Sequence, residues 1–486
     1  MASRVESGER SVIPNVLADR YASTPIVILF SEEHKFRLER DLWIAVMEGQ
    51  AALGLDIPKI PKKAIAAYKA QRDNLDLDSI RRRELELRHD EKARLEEFNA
   101  LAGYELAHLG MTSRDQSDNI EQMQIRNGLV IIRDRTVATL SRFARSALKN
   151  SELVYAGRTH LAPAQPSLIG KLFSDAGEEL LLGFDRLEEL IEKYPLRGLK
   201  GAMGTQTDQL QLFNGDIDKV EALEKRIARF LGFKNVLGSV GQIYPRSLDF
   251  EVVSTLYQLI SGPRSLAFTL RLMAEKEQFT EGFKKGQVGS SAMPHKMNTR
   301  TLERVEGLSR VLKGYLAMAE SVTGEQFYGG DVSDSSTRRV FIPDSFFATD
   351  GLFQSLLTVL DEGDFYPAVI NAELKKYLPF LTTTRLLMAA VKNGVGRETA
   401  HEAIRDHSVA VALKMREEGQ GDNDLLDRLS KDPRINMTRE QLDKAIANPA
   451  EFVGNAPAQI AEFAKRVEGI VEKYPEAASY IPEPIL

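Results

Sequence analysis

Between Gly286 and Asn298 the chain runs Gly-Gln-Val-Gly-Ser-Ser-Ala-Met-Pro-His-Lys-Met-Asn. Two hydroxyls (Ser290, Ser291), a cation (Lys296) and an amide (Asn298) fall close together there. Such groups can hold a carboxylate and move a proton. Gly286, Gly289 and Pro294 make the segment a loop. Helical spacing resumes after it, which places its end near a helix N-terminus, where anions are stabilised. The same residue types also suit an exposed polar connector.

Seven histidines and no cysteine bound the rest of the chemistry. Thiol nucleophiles, thiolate zinc sites, iron–sulfur clusters and disulfide frameworks are excluded. Oxygen, imidazole and ammonium groups remain, and histidine is the natural proton donor near neutral pH. Asp422, Asn423, Asp424 and Asp427 are spaced somewhat like a calcium loop. The turn glycine is missing and Leu426 takes the fifth position, so we read a turn and helix cap, with no metal and no cofactor. Absence of cysteine fits a cytoplasmic protein.

These residues must be positioned by helices. The seam Val252, Leu256, Leu259, Pro263, Leu266, Leu270 and Met273 alternates spacings of four and three. Val305, Leu308, Leu312, Tyr315, Ala319 and Val322 repeat the pattern. Each puts one apolar stripe on one side of a helix, as in bundle packing. Gly262-Pro263 should kink or break the first. Further long helices are expected around Ile125–Phe143 and Leu168–Ile191. Strand signals are scarce, and no G-x-G-x-x-G follows a strand.

The reading is an all-α chain in three parts. Residues 1–114 form a charged helical N-terminal domain, and 115–367 a central long-helix bundle that carries loop 286–298. Residues 368–486 form a domain of shorter helices. Seams this long point to packing against further copies of the chain, with an extended monomeric bundle as the alternative. A hydrophobic fraction of 43%, a charged fraction of 28% and a net charge of −6 describe a soluble globular protein. A pI near 5.9 is not the footprint of a nucleic-acid binder, and Arg81–Arg83, followed by Glu84 and Glu86, reads as a solvated helix face. The first ten residues lack an apolar core, so no secretory signal is expected. No apolar run approaches a membrane span.

The segment Gly-Ser-Ser-Ala-Met-Pro-His-Lys-Met-Asn (289–298) resembles the signature loop of the fumarase/aspartase superfamily. Arg20-Tyr21, Arg88-His89-Asp90, His108 to Ser113, Thr159-His160, Lys200 to Gln206, Gly241-Gln242 and Ser335 to Arg339 resemble, in order, blocks of the adenylosuccinate lyase family. Residues 421–427 resemble that family's third domain. The resemblance implies an all-helical three-domain fold around a central bundle. It also implies a homotetramer whose active sites are shared between subunits.

The implied reaction is release of fumarate from a succinylated nucleotide amine in AMP biosynthesis, with both adenylosuccinate and the succinyl-aminoimidazole-carboxamide ribotide as substrates. Removing a proton beside a carboxylate loads that carboxylate with a second charge, which the site must stabilise. By resemblance Ser290 is the general base, helped by Lys296, and Lys296 with Asn298 holds the carboxylate. His160 is the general acid that protonates the leaving amine. His89 is a second catalytic histidine that binds phosphate or orients the acid. Arg20, Tyr21 and Arg88 are placed to hold the phosphate, since arginine grips phosphate bidentately. Asp90, Thr112, Ser113, Gln242, Ser291, Met297, Arg304, Ser335 and Arg339 complete the implied substrate contacts. His34, His108, His401 and His407 are read as structural.

Three positions stand out against the family pattern. Thr299 stands where many relatives carry proline. Arg304 follows the branch with arginine rather than asparagine. Gly330 falls where a binding arginine is common, which leaves that arginine's work to another residue. The alternatives are a sister lyase of argininosuccinate or fumarase type, or a non-catalytic helical scaffold.

Overall fold

The computed structural model describes residues 13–282, 293–419 and 422–484; Ser290 and Ser291 lie outside them. Its centre is the helix Ser113–Lys149, 37 residues long, which at 1.5 Å per residue spans about 55 Å. Ile169–Lys193, Ser335–Glu362 and Ala456–Lys473 pack against it. Arg300–Ser321 packs on Ser335–Glu362 and on the pair Ser247–Leu259 and Ser261–Glu275. The predicted seams point inward: Leu129, Ile132, Leu140, Phe143, Leu256, Leu259, Leu270, Val305 and Leu312 are buried.

The Gly262-Pro263 reading is met by a break at Ile260, between two helices. Gly262 has a packing reason beyond the break. A Cβ there would lie 2.3 Å from the carbonyl oxygen of Ala176, so the absence of a side chain lets the Ser261 helix touch the backbone of the Ile169 helix.

Two short antiparallel ladders depart from the all-helical pattern. Val154–Thr159 pairs with Ala162–Leu168, and Phe279–Thr280 with Asp364–Phe365. The first was hidden because its return strand, Ala-Pro-Ala-Gln-Pro-Ser-Leu, carries two prolines and few β-formers. Leu168, expected in a helical seam, is the last strand residue and pairs with Val154. The helix Pro367–Leu381 backs this hairpin.

Two apolar cores form. One is continuous from Leu17 to Leu381 and takes in Ala456–Val467 again. The other is confined to Leu386–Ile446. Among the described residues no helix is long and apolar enough to cross a membrane. Because its clash is with backbone, Gly262→Ala should cost about 1–3 kcal/mol, read as a lower thermal midpoint. An unchanged midpoint would mean that the two helices part without cost.

Candidate active site

A cavity of about 860 Å³ opens where five helices meet. Arg88, His89, Asp90, Ser113, Ser335 and Arg339 line it. Six residues from three separate sequence blocks thus share one cavity.

Local backbone explains how they are presented. Leu77–Leu87 ends at Arg88, which adopts the left-handed conformation (φ 52°) as its C-cap. His89 is extended and caps the next helix, Asp90–Ala102. One reversed residue therefore joins two helix ends and turns Arg88 and His89 toward the cavity. The Lys92 N–H donates to His89 Nδ1 at 3.3 Å, which leaves the imidazole proton on Nε2. Arg88 has no ion-pair partner among the described residues. Burial opposes ionisation of Asp90, yet Arg94, the Glu91 N–H and Arg339 hold its carboxyl below the usual range. Arg339 donates to Asp90 at 3.2 Å.

The opposite wall hangs on Asp115 and Asp118. Asp115 accepts from the N–H of Thr112 at 2.9 Å and from those of Lys200 and Gly201 at 2.9 and 3.1 Å, and it pairs with buried Arg197. It thereby ties Thr112 and Ser113 to the 200–206 segment. Asp118 pairs with Arg114 and Arg246, and Arg246 donates to Asp334 at 2.5 Å. Asp334 precedes Ser335, so this chain of charges sets the first turn of the Ser335 helix.

The remaining candidates lie elsewhere within one chain. Arg20 and Tyr21 end the helix Val16–Arg20 and line a separate pocket of about 260 Å³. Arg304 stands over the Tyr21 ring at 5.6 Å. His160 sits with Leu161 at the tip of the first hairpin, both with positive φ (52° and 61°) and both exposed. Gln242 is held by its backbone, its N–H donating to Gly329 at 2.7 Å. Lys296 and Met297 are exposed and Asn298 half-buried, just before the helix Arg300–Ser321.

That helix corrects one expectation. Its free N–H groups were to stabilise an anion near the loop. Those of Thr301 and Leu302 instead donate to the two carboxylate oxygens of Glu281, at 2.9 and 3.1 Å. The protein supplies its own anion there.

Several cavity residues escaped the sequence reading. Lys35 faces the cavity beside Glu121 (3.0 Å). Despite burial, Lys35 and Arg338 keep Glu121 far below the usual carboxylate range. Arg81, read as part of a solvated face, is exposed and also lines the cavity. Arg114, Ser117 and Glu121 also line it and follow helical spacing, a signal that the Ser113 helix turns a polar face inward. Gly330 has φ 113°, and a Cβ there would lie 2.9 Å from Ile243, so an arginine would be strained at this position. His108 is half-buried and accepts from the Trp43 indole N–H at 3.0 Å, which fits its structural reading.

Glu91 is the outlier. It lines the cavity, is nearly fully buried, and its Oε1 has no hydrogen-bond partner among the described residues. Burial first, and then the neighbouring Glu39, push its carboxyl up to about 10. The folded state therefore keeps a proton that the unfolded chain loses near 4.5, and stability falls as pH rises between those values. Glu91→Gln should be more stable than the parent at neutral pH, by a margin that widens from about pH 6 to pH 9. Equal thermal midpoints across that range would mean that Glu91 is ionised and paired.

Comparison with known proteins bears on this arrangement. Residues 27–314 match the model of a family described as "Lyase", and residues 379–463 one described as "Adenylosuccinate lyase C-terminus". The adenylosuccinate lyase of Saccharomyces cerevisiae is 35% identical over 93% of both chains. That of Schizosaccharomyces pombe is 32% identical over 93% of both. That of Schistosoma mansoni is 34% identical over 92% of this chain and 93% of its own. Two solved structures share the fold. The fumarate lyase of Mesorhizobium sp. BNC1 superposes with a TM-score of 0.75 at 20% identity, covering 92% of this chain and 98% of that one. The 3-carboxy-cis,cis-muconate lactonizing enzyme of Pseudomonas putida gives 0.79 at 18%, covering 94% and 100%.

Proposed function

Since the chain belongs to the adenylosuccinate lyase family and works as a lyase in purine nucleotide biosynthesis, we propose how its residues carry the reaction. It cleaves adenylosuccinate to AMP and fumarate, and the succinyl-aminoimidazole-carboxamide ribotide to its carboxamide and fumarate. The sister-lyase and scaffold readings are not favoured, because the full-length relatives are adenylosuccinate lyases.

In the proposed mechanism Ser290 removes a proton from the carbon beside a succinyl carboxylate. The electron pair moves onto that carboxylate, where Lys296 and Asn298 meet the added charge. The C–N bond then breaks, and His160 gives its proton to the departing amine, so that fumarate leaves with both carboxylates. With the N–H groups of Thr301 and Leu302 taken by Glu281, stabilisation of the Ser290 alkoxide is assigned mainly to Lys296. His89 offers its Nε2 proton to the phosphate or to the acid. Arg20, Tyr21 and Arg88 bind the phosphate. Asp90, Thr112, Ser113, Gln242, Ser291, Met297, Arg304, Ser335 and Arg339 complete the pocket. The observation that carries this reading is the cavity shared by Arg88, His89, Asp90, Ser113, Ser335 and Arg339.

We further propose a cytoplasmic homotetramer with sites shared between subunits, organised as the three domains 1–114, 115–367 and 368–486. Sharing is supported by the separation, within one chain, of His160 and the Arg20–Tyr21–Arg304 group from the cavity. Oligomerisation is supported by exposed apolar side chains on three bundle helices: Leu182, Phe268 and Val311.

Purified protein should consume adenylosuccinate, followed by its absorbance. Ser290→Ala should fold normally and lose at least about 10³-fold in kcat; substantial residual turnover would remove Ser290 as the base. Mixing inactive His160→Ala with inactive Ser290→Ala should restore part of the activity. Continued inactivity after demonstrated subunit exchange would refute shared sites.

A further inference from the structure

We propose that Glu281 is a positioning residue for Lys296 and Asn298, acting as a clasp between the end of the Phe279–Thr280 strand and the first turn of the Arg300–Ser321 helix, beside the Lys296–Asn298 segment. The inference rests on the reading that this segment carries the chemistry.

Glu281 is held firmly before it reaches across. Phe279 and Thr280 pair with Phe365 and Asp364. Gly282 then adopts φ 94°, and a Cβ there would lie 2.9 Å from Glu362 Cβ and from its carbonyl oxygen. The chain is thus pinned on both sides of Glu281. From this anchored point, each carboxylate oxygen takes one backbone N–H, Thr301 at 2.9 Å and Leu302 at 3.1 Å. These are the second and third residues of the Arg300–Ser321 helix. They are the donors that an N-cap side chain ordinarily satisfies.

The local N-cap does not do that work: Thr299 makes no side-chain cap bond. A residue twenty positions earlier caps the helix instead. A local cap would steady the first turn but leave it free to shift relative to the Phe279–Thr280 strand. The remote cap fixes that turn to a second element, and with it the residues just ahead of the helix. Lys296 and Asn298 lie immediately before it and inherit its position, while Arg304 lies one turn further on. A negative charge at this helix end is also favoured by the helix dipole.

The test compares Glu281→Ala, Glu281→Gln, Lys296→Ala and the double variant Glu281→Ala/Thr299→Asp in adenylosuccinate turnover and thermal melting. Glu281→Ala should lose about 10- to 100-fold in kcat, with a smaller change in KM. Glu281→Gln should fall between it and the parent, because one amide oxygen can still accept. In the double variant, the carboxylate introduced by Thr299→Asp restores a local cap, so the thermal midpoint should recover while kcat stays low. Recovery of kcat together with the midpoint would show that Glu281 only caps the helix and would overturn the inference. Parental kcat in Glu281→Ala, with turnover lost in Lys296→Ala, would overturn it as well. Parental turnover in Lys296→Ala would instead overturn the assignment of chemistry to the segment. Should Glu281→Ala fail to fold, Glu281→Gln and the double variant carry the same comparison.

Discussion

The arrangement around the cavity depends on a buried network of charges centred on Arg246 and Arg338. Arg246 bridges Asp118 and Asp334, and Arg338 bridges Asp249, Glu121 and the hydroxyl of Tyr244. Asp118 and Glu121 belong to the Ser113 helix, Asp249 to the Ser247 helix, and Arg338 to the Ser335 helix, with Asp334 just before it. Removing such charges from water costs several kcal/mol each. The cost is offset only when every partner meets its neighbours in good geometry, so a small slide of one helix would strand charges on the other two. The cavity wall is therefore set by electrostatic pairing more than by apolar packing. Arg338 is locked inside the network while adjacent Arg339 faces outward to Asp90.

Backbone strain marks the same region. Arg88 and His108, both ordinary L-residues, take the left-handed conformation near the cavity, and His160 and Leu161 take it together at the hairpin tip. Such conformations carry a cost that the surroundings must hold in place. At Arg88 the gain is visible, because the reversal joins two helices end to end and points two candidate groups the same way. At the hairpin tip the reversal leaves an imidazole exposed, away from the chain's core. That placement accords with the proposed sharing of sites between chains.

The two kinds of helix end at the site are used differently. The Asp90 helix is capped by His89, so a candidate catalytic side chain also completes the helix. The Arg300 helix is capped from a distance by Glu281, while its own N-cap, Thr299, makes no side-chain cap bond. The helix-terminal N–H groups of Thr301 and Leu302 are thus used for architecture.

The local pattern of residues was enough to specify much of this protein. Apolar seams repeating at three and four residues dictate long helices, because only one face can be buried. Gly262-Pro263 dictates a break, and the ordered 289–298 segment with the Arg88–Asp90 and Ser335–Arg339 blocks identifies the candidate chemistry. Those features are legible because each depends on neighbours along the chain. What tertiary structure alone decided was of another kind. The Val154–Leu168 hairpin exists despite its two prolines because the Pro367 helix packs behind it. Lys35, Glu91 and Glu121 line the cavity although nothing in their local sequence distinguishes them from surface charges. Glu281 caps a helix twenty residues away, and Arg246 joins elements more than eighty residues apart. The physical reason is common to all four. Burial, desolvation and long-range pairing depend on which segments meet in space, and that is settled only when the whole chain has folded.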